Sequence, residues 1–472
     1  MNKFINNLIL KIIKISNPIL LTVPFAIVWL CYYVNLMEHP FMYRGNTVVI
    51  LLFFILYIVF GKVYDGFLIS VSTISEIVYS QALAAIISDG ILCVVIFLLT
   101  EGIANVIPMI LLFFMQVFIS SVWALVTHKW YFKKYKPQKT TVIFDLREEM
   151  EQLISDYGFD KKFRVQNSVD VSTCLEDLSI LNGSECVFLS GVRSRERNVI
   201  LKYCIAHDIR VYMLPRIGDV ILSGAKKVHM FHLPMLRVER YNPSPAFLIS
   251  KRVFDVVSSS IVILVLSPVM LITAIAIKAT DKGPVLYKQV RLTKDGQEFE
   301  VLKFRSMRVD AEKDGVARLS AGDKDDRITP VGRIIRKIRV DELPQLFNIL
   351  KGDMSVVGPR PERPEIAAKY CEVMPEFNLR LQAKAGLTGY AQVYGKYNTT
   401  PYDKLQMDLM YIAKPNFFED LRIIFATIKI LFIPESTEGV AVGQVTAETV
   451  NHSSEHMEPK ENVAEQQSAL LQ

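Results

Sequence analysis

Apolar positions in this chain follow several distinct patterns. In the first 126 residues they gather into four long runs, about Pro18–Leu36, Thr47–Phe60, Gln81–Leu99 and Ile103–Val126. Each can cross a bilayer, the second with help from its flanking residues. From Thr140 to about Val238 apolar and polar residues alternate over short distances instead. Thr141–Phe144, Phe163–Asp170, Cys186–Gly191 and Ile209–Leu214 read as strands, and Arg147–Tyr157 and Arg195–His207 as helices. Such alternation predicts an α/β, Rossmann-like domain with a parallel sheet. Pro234, Pro243 and Pro245 then punctuate a linker, and a fifth long apolar run, Val256–Ile277, follows. Helical spacing returns in Val331–Val340. There Val331, Ile334, Ile335 and Ile338 share one stripe with Arg333, Arg336, Lys337 and Arg339 around it. Glu435–Gln472 is polar and aperiodic and reads as a disordered tail.

Charge orients these segments. Lys3, Lys11 and Lys14 precede the first run, and His128, Lys129, Lys133, Lys134, Lys136 and Lys139 follow the fourth. The positive-inside rule puts both ends of this four-span block in the cytoplasm. The fifth run is also basic on both sides, with Lys251 and Arg252 before it and Lys278, Lys282, Lys288 and Arg291 after it. Both of its ends are therefore expected on the same side. Ser267-Pro268 lies near its middle, where proline frees a backbone carbonyl and the serine hydroxyl can satisfy part of what is lost. The expectation is a re-entrant helix over residues 251–278; the alternative is an ordinary span with a proline kink.

Composition adds exclusions. A chain 51% hydrophobic with a net charge of +6 suits a membrane protein near anionic lipid, and no nucleic-acid module is visible. The 6 cysteines are scattered and read as reduced packing residues. Asp145-Leu146-Arg147 follows the first strand where a dinucleotide site would need Gly-x-Gly-x-x-Gly. No apolar run carries paired acids or histidines, so residues 1–139 read as an anchor.

The chemistry concentrates around Asp341 and Glu342, which follow the basic amphipathic stretch and precede Pro344. Proline is welcome in the first turn of a helix and poorly tolerated within one, so the two acids are expected where a helix begins or kinks. Free backbone N–H groups there favour anions. Arginines, a carboxylate pair and a helix start together suit phosphate chemistry with a divalent cation. The bland alternative is a basic helix lying on a membrane surface.

Other fragments accompany this stretch. They are Gly283-Pro284-Val285-Leu286-Tyr287-Lys288-Gln289, Lys303-Phe304-Arg305-Ser306-Met307, Asp326-Arg327-Ile328-Thr329-Pro330, Gly358-Pro359-Arg360-Pro361, Gly386-Leu387-Thr388-Gly389 and Gly395-Lys396-Tyr397-Asn398. In this order, behind a Ser-Pro-containing apolar helix, they resemble the bacterial sugar transferase family, the monotopic polyprenyl-phosphate glycosyl-1-phosphate transferases. The layout is similar to the long form: four spans at 1–139, an α/β cytosolic domain at 140–238, a linker at 239–250, a mostly helical transferase domain at 251–435 and a tail at 436–472.

The resemblance implies an enzyme that transfers a sugar-1-phosphate from a UDP-sugar to undecaprenyl phosphate and releases UMP. That would be the first membrane step of exopolysaccharide, capsule or other surface glycan synthesis. The family's aspartate–glutamate dyad falls on Asp341 and Glu342, its upstream arginine on Arg336, its basic pair on Lys251 and Arg252, and its helix break on Ser267 and Pro268. Asp341 would be the nucleophile and Glu342 the ligand of Mg2+. Lys303, Arg305, Arg327, Arg333 and Arg360 are further phosphate candidates, with structural or lipid-headgroup roles as the alternative. Many members have Arg-Pro where this chain has Lys384-Ala385. A bacterial inner-membrane location with a cytoplasmic catalytic domain is implied, and a homodimer and downstream glycosyltransferases are partners the layout allows. Two other readings stay open: a non-catalytic membrane scaffold of polysaccharide assembly, and an ordinary glycosyltransferase releasing UDP.

Overall fold

The computed structural model describes residues 2–37, 39–41, 44–100, 102, 104–145, 147–309, 327–395 and 399–431. Asp326, the Lys396-Tyr397-Asn398 fragment and the expected tail lie outside these residues. The chain forms two compact units, Met1–Leu214 and Pro215–Gln472.

The first unit opens with four long helices: α1 (Asn2–Cys31), α2 (Arg44–Val63), α3 (Ile74–Leu99) and α4 (Ile107–Lys134). Helices α2 and α3 contain the expected runs Thr47–Phe60 and Gln81–Leu99, α1 ends at Cys31 before the expected Leu36, α4 begins at Ile107 after the expected Ile103, and all four have the length and hydropathy of membrane spans. A capping box starts α3: Glu76 N donates to Thr73 Oγ1 at 3.3 Å and Thr73 N donates to Glu76 Oε2 at 2.8 Å. Packing inverts that of a soluble bundle. Ile12, Ile15, Ile19, Val23 and Ile27 lie on the open face of α1, whereas Asn17, Gln81, Asp89 and Gln116 are buried. An apolar exterior of this extent needs lipid around it.

A parallel sheet follows, with β1 (Gln138–Phe144), β2 (Phe163–Asp170), β3 (Cys186–Ser190) and β4 (Arg210–Met213) in the order β2-β1-β3-β4. Helices α5 (Met150–Asp156), α6 (Val171–Glu176) and α7 (Ser194–Ala206) connect the strands. Adjacent residues serve opposite faces. Ile143 and Val187 pack with Ile200 and Cys204, while Val142 and Cys186 pack with Ile154 and Phe163. Burial on both faces explains the apolar runs Val142–Phe144 of β1 and Cys186–Leu189 of β3.

The second unit starts before the expected linker. The sheet ends at Met213, and α8 (Ile217–Ser223) packs Ile217 and Val220 into a core with Leu405, Leu409 and Ile412 of the transferase region. A hairpin of β5 (Lys226–Met230) and β6 (Leu233–Arg237) leads to α9 (Pro245–Asp281). Helix α9 starts with Ser244 Oγ accepting from Phe247 N at 3.3 Å and with Pro245 in the first turn.

Helix α9 runs through Ser267-Pro268 without ending there, so the expected break is not a helix terminus. The reason is local. Pro268 cannot donate to the carbonyl of Leu264, and Ser267 Oγ donates to that carbonyl instead, at 2.8 Å.

After α9 come an antiparallel hairpin of β7 (Leu286–Leu292) and β8 (Glu298–Phe304), then α10 (Pro330–Lys337) and α11 (Gln345–Lys351). Next are β9 (Ser355–Val357), α12 (Pro364–Val373), β10 (Gly386–Thr388), α13 (Tyr390–Tyr394), α14 (Pro401–Ala413) and α15 (Phe417–Leu431). Two glycine motifs that look independent in sequence form one structure, since β9 and β10 pair in parallel. Gly358 N donates to Thr388 O and Gly386 N to Pro359 O, both at 2.9 Å. A Cβ on Gly358 would run into the carbonyl of Lys384, and one on Gly386 into the amide of Gly358.

Candidate active site

The dyad sits between two helices. Thr329 Oγ1 caps α10 by accepting from Gly332 N at 2.9 Å, and Pro330 takes the first turn. Helix α10 ends at Lys337, and Arg339 adopts a left-handed conformation (φ 57) that turns the chain. Val340–Glu342 then makes one tight turn before α11. The acids therefore stand at a helix junction, as the proline spacing predicts.

Glu342 is held by two cations through the same oxygen. Lys303 Nζ, at the end of β8, donates to Oε1 at 2.9 Å, and Arg360 Nη2 donates to it at 3.2 Å. Burial pushes the Glu342 carboxyl up, but Lys303, Arg360 and Arg339 together outweigh it and hold the group well below the usual range. Asp341 is the opposite case. Its Oδ1 is buried and has no hydrogen-bond partner. Burial and the neighbouring Glu342 charge raise its carboxyl to about 6, against the pull of Lys303, Arg336 and Arg339. Two adjacent acids thus have their affinities for a proton driven apart, a pattern that assigns them different chemical tasks.

The loop carrying Arg360 is fixed from behind. Arg380 Nη2 donates to the Arg360 carbonyl at 2.8 Å and pairs with Asp408 Oδ2 at 2.7 Å, with Arg380 and Asp408 side chains 7% and 1% exposed. Arg291 Nη1 donates to Pro361 O and to Glu362 Oε1, each at 3.2 Å. Sequence reasoning missed Arg380 and Asp408 as supports of the site. Their signal is a charge set among apolar neighbours, in Leu379-Arg380-Leu381 and Leu409 after Asp408.

The other candidates divide by position. Arg336 is half-buried beside Asp341, whereas Arg333 is exposed on α10. Arg305 is buried with its guanidinium against Gly283. Arg327 lies where its carbonyl accepts from Arg308 N at 2.9 Å. Lys251 reaches Asp420 Oδ2 at 2.6 Å and Tyr411 Oη at 3.1 Å. Arg252 donates to the carbonyls of Ile349 and Leu350, at 2.6 and 2.8 Å, closing the end of α11. Asp255 accepts from Val356 N at 3.0 Å. Lys384 donates to Gly352 O at 2.8 Å. The structure thus gathers Asp341, Glu342, Lys303, Arg336 and Arg360, and uses Lys251 and Arg252 to tie α9 to the unit.

The carboxylate oxygens around the dyad form a sparse donor set. Among the described residues no group of three or more His, Cys, Asp or Glu side chains comes together as a cage. Both ion pairs of Glu342 use Oε1, leaving Oε2 outside those pairs, and Asp341 Oδ1 is unpartnered. Such a donor set fits magnesium, which prefers few protein carboxylates supplemented by phosphate oxygens.

The profile of the bacterial sugar transferase family matches residues 246–434. A UDP-N-acetylgalactosamine-undecaprenyl-phosphate N-acetylgalactosaminephosphotransferase of Aeromonas hydrophila is 38% identical over 232 residues, 48% of this chain and 54% of the relative. A UDP-glucose:undecaprenyl-phosphate glucose-1-phosphate transferase of Caulobacter vibrioides is 39% identical over 199 residues, 41% of this chain and 74% of the relative. An exopolysaccharide production protein of Rhizobium leguminosarum bv. phaseoli is 41% identical over 201 residues, 98% of its length. The chain matches about half the length of the longer relatives, 54% in Aeromonas and 45% in a Klebsiella pneumoniae glucose-1-phosphate transferase. This chain belongs to the bacterial sugar transferase family.

Proposed function

We propose that the chain is a phosphoglycosyl transferase, moving a sugar-1-phosphate from a UDP-sugar to undecaprenyl phosphate as the initiating step of surface glycan or exopolysaccharide synthesis. The activities named for the Aeromonas and Caulobacter relatives support the reaction class, and the name of the Rhizobium relative supports the setting. The observation that carries the mechanism is the buried, unpartnered Oδ1 of Asp341 beside a Glu342 already neutralised by Lys303 and Arg360.

Asp341 attacks the phosphorus nearer the sugar. The bond between that phosphorus and the bridging oxygen breaks, and UMP leaves with its electron pair. The phosphosugar is then an acyl phosphate on Asp341. An oxygen of undecaprenyl phosphate attacks the same phosphorus, the Asp341–phosphorus bond breaks, and the diphosphate-linked product departs. One pyrophosphate is exchanged for another. Arg336 and Arg360 are placed to stabilise the charge that spreads over the equatorial oxygens. Magnesium, held by Glu342 and the diphosphate, would offset the repulsion between carboxylate and substrate.

The same reading makes α9 a re-entrant element with the catalytic unit on the cytoplasmic face of the inner membrane. Its support is that both arms of α9 pack on this unit. Val262 and Ile263 lie against Phe299 and Leu346, and Ile277 lies against Phe304 and Ile335.

The test of reaction class is nucleotide release in detergent with undecaprenyl phosphate, magnesium and a panel of UDP-sugars. UMP released with one sugar and lost in Asp341→Asn is expected. Release of UDP would assign an ordinary glycosyltransferase, and full turnover by Asp341→Asn would remove the nucleophile assignment.

A further inference from the structure

The membrane bundle holds a second group of chemically capable residues. They come from different helices, and only the packing of the bundle brings them together. Asp89 lies in the middle part of α3 and is 6% exposed; Gln116 and Ser120 of α4 are 0% and 1% exposed. Gln116 Nε2 donates to Asp89 Oδ1 at 3.4 Å, and Ser120 sits one turn further along the same face of α4. Tyr57 of α2 stands beside Ser120 and Asp89.

Hydrogen bonds connect this centre to the end of the bundle. Tyr57 Oη donates to Asn17 Oδ1 at 2.8 Å. Asn17 Nδ2 donates to Gln81 Oε1 at 3.1 Å, and Gln81 Nε2 donates to Gly66 O at 2.9 Å. Gly66 belongs to the loop that joins α2 to α3. A polar file thus runs from that loop to the neighbourhood of Asp89, inside helices whose outer faces are apolar.

The donor count at the centre does not balance. Asp89 Oδ2 and Gln116 Oε1 are both buried and meet no partner. A carboxylate oxygen and an amide oxygen only accept, so both lack a donor. A carboxylate charge in the hydrocarbon region with a single amide partner is also strongly disfavoured. One hydrogen on Asp89 removes the charge and supplies a donor.

We propose that Asp89 is a proton-binding site of the membrane bundle, holding one proton on Oδ2 as a neutral carboxylic acid at neutral pH. The proton comes from water: an O–H bond of a hydronium ion breaks as the O–H bond on Asp89 Oδ2 forms. Among the described residues, the titratable groups acting on Asp89 are Tyr57 of α2 and, on α3 itself, Cys93. Helix α4 faces it with the amide of Gln116 and the hydroxyl of Ser120, and α1 contributes the amide of Asn17 to Tyr57. The site is separate from the transferase dyad, and its test does not depend on turnover.

The experiment is infrared spectroscopy of the full chain in lipid nanodiscs at neutral pH. A carboxylic-acid C=O stretch is expected in the wild type, shifted in heavy water, absent from Asp89→Asn and displaced in frequency in Asp89→Glu. Identical carboxylic-acid regions in wild type and both variants would mean an ionised Asp89 and overturn the proposal. Thermal melts provide the second readout. Asparagine is isosteric with the neutral acid, so Asp89→Asn is expected to match the wild-type Tm at neutral pH. The wild-type Tm is expected to be the same in sodium chloride and choline chloride. A sodium-specific rise that Asp89→Asn abolishes would assign the site to sodium and overturn the proton.

Discussion

Lys303 and Glu342 are 39 residues apart in sequence, yet Lys303 Nζ lies 2.9 Å from Glu342 Oε1. The contact joins the end of β8 to the turn between α10 and α11, and it acts on both acids. Lys303 is the largest influence lowering Glu342, and it also opposes the upward shift of Asp341. Lys303→Met is therefore expected to raise the Asp341 carboxyl further above its value of about 6. The acid limb of the kcat/KM profile should move to higher pH by about one unit, with about a twofold loss at pH 7. A pH profile of the purified variant checks this. A changed KM with an unmoved acid limb would make Lys303 a phosphate contact and nothing more.

Asp341 itself should trade stability for chemistry. Its folded-state carboxyl is raised to about 6, so the folded protein holds this proton more tightly than the unfolded chain does. The stabilising contribution is present below the ordinary aspartate range and is lost as pH rises through about 6. Asp341→Asn removes that loss. Turnover should vanish while stability at pH 7–8 rises by about 1–2 kcal/mol, with the gain gone near pH 4. Thermal melts of wild type and variant at the two pH values decide it. A variant less stable than wild type at pH 8 would contradict the strained-carboxylate reading.

Local pattern carried the sequence reading a long way and then stopped for identifiable reasons. β2 is found at the expected residues, Phe163–Asp170, because turn residues bound a strand of alternating character. The dyad's place at a helix junction was legible from Pro344. The pairing of Gly358 with Gly386 was not, since it joins backbones distant in sequence and neither motif encodes its partner. Charge patterning likewise cannot separate an arginine on lipid headgroups from one on helix carbonyls, which is where Arg252 lies. The bundle's polar centre was invisible because Asn17 comes from α1, Gln81 and Asp89 from α3 and Gln116 from α4, and only the packing of these helices brings them together.

Arg252 is expected to behave as a structural residue. It supplies two charge-assisted donors to the last carbonyls of α11, the helix that follows the dyad. Arg252→Gln should destabilise the protein by about 1–2 kcal/mol and leave kcat/KM of the folded fraction within about threefold of wild type. Melting curves with active-site-normalised kinetics test both parts. A raised KM for undecaprenyl phosphate at unchanged stability would return Arg252 to substrate binding.

The two glycines should be intolerant of a methyl group. A Cβ at Gly358 or Gly386 meets backbone atoms of the opposing motif, and backbone cannot rotate aside as a side chain does. Gly358→Ala and Gly386→Ala are each expected to cost about 2–3 kcal/mol. They should also lower kcat by displacing the loop that brings Arg360 to Glu342. Combining them should lose less than the sum, because both break one contact. Additive losses would show two independent defects.

The path of α9 gives the sharpest topological test. A segment that crosses a bilayer presents about 20 consecutive apolar residues to lipid or to other membrane helices. Yet Val262, Ile263, Met270, Ala274 and Ile277 all pack against the catalytic unit. Leu264, Val265, Leu271, Ile272 and Ile275, on the remaining face, are exposed and apolar. A helix with one face on a soluble body and the other apolar suits shallow burial in one leaflet better than a crossing. Ser250→Cys and Thr280→Cys, placed singly in a cysteine-free background, are both expected to react with an impermeant maleimide from the cytoplasmic side. Labelling of Thr280→Cys from the opposite side would make α9 a true span. It would also require the catalytic unit's contacts along the helix to form outside the cytoplasm, away from UDP-sugars.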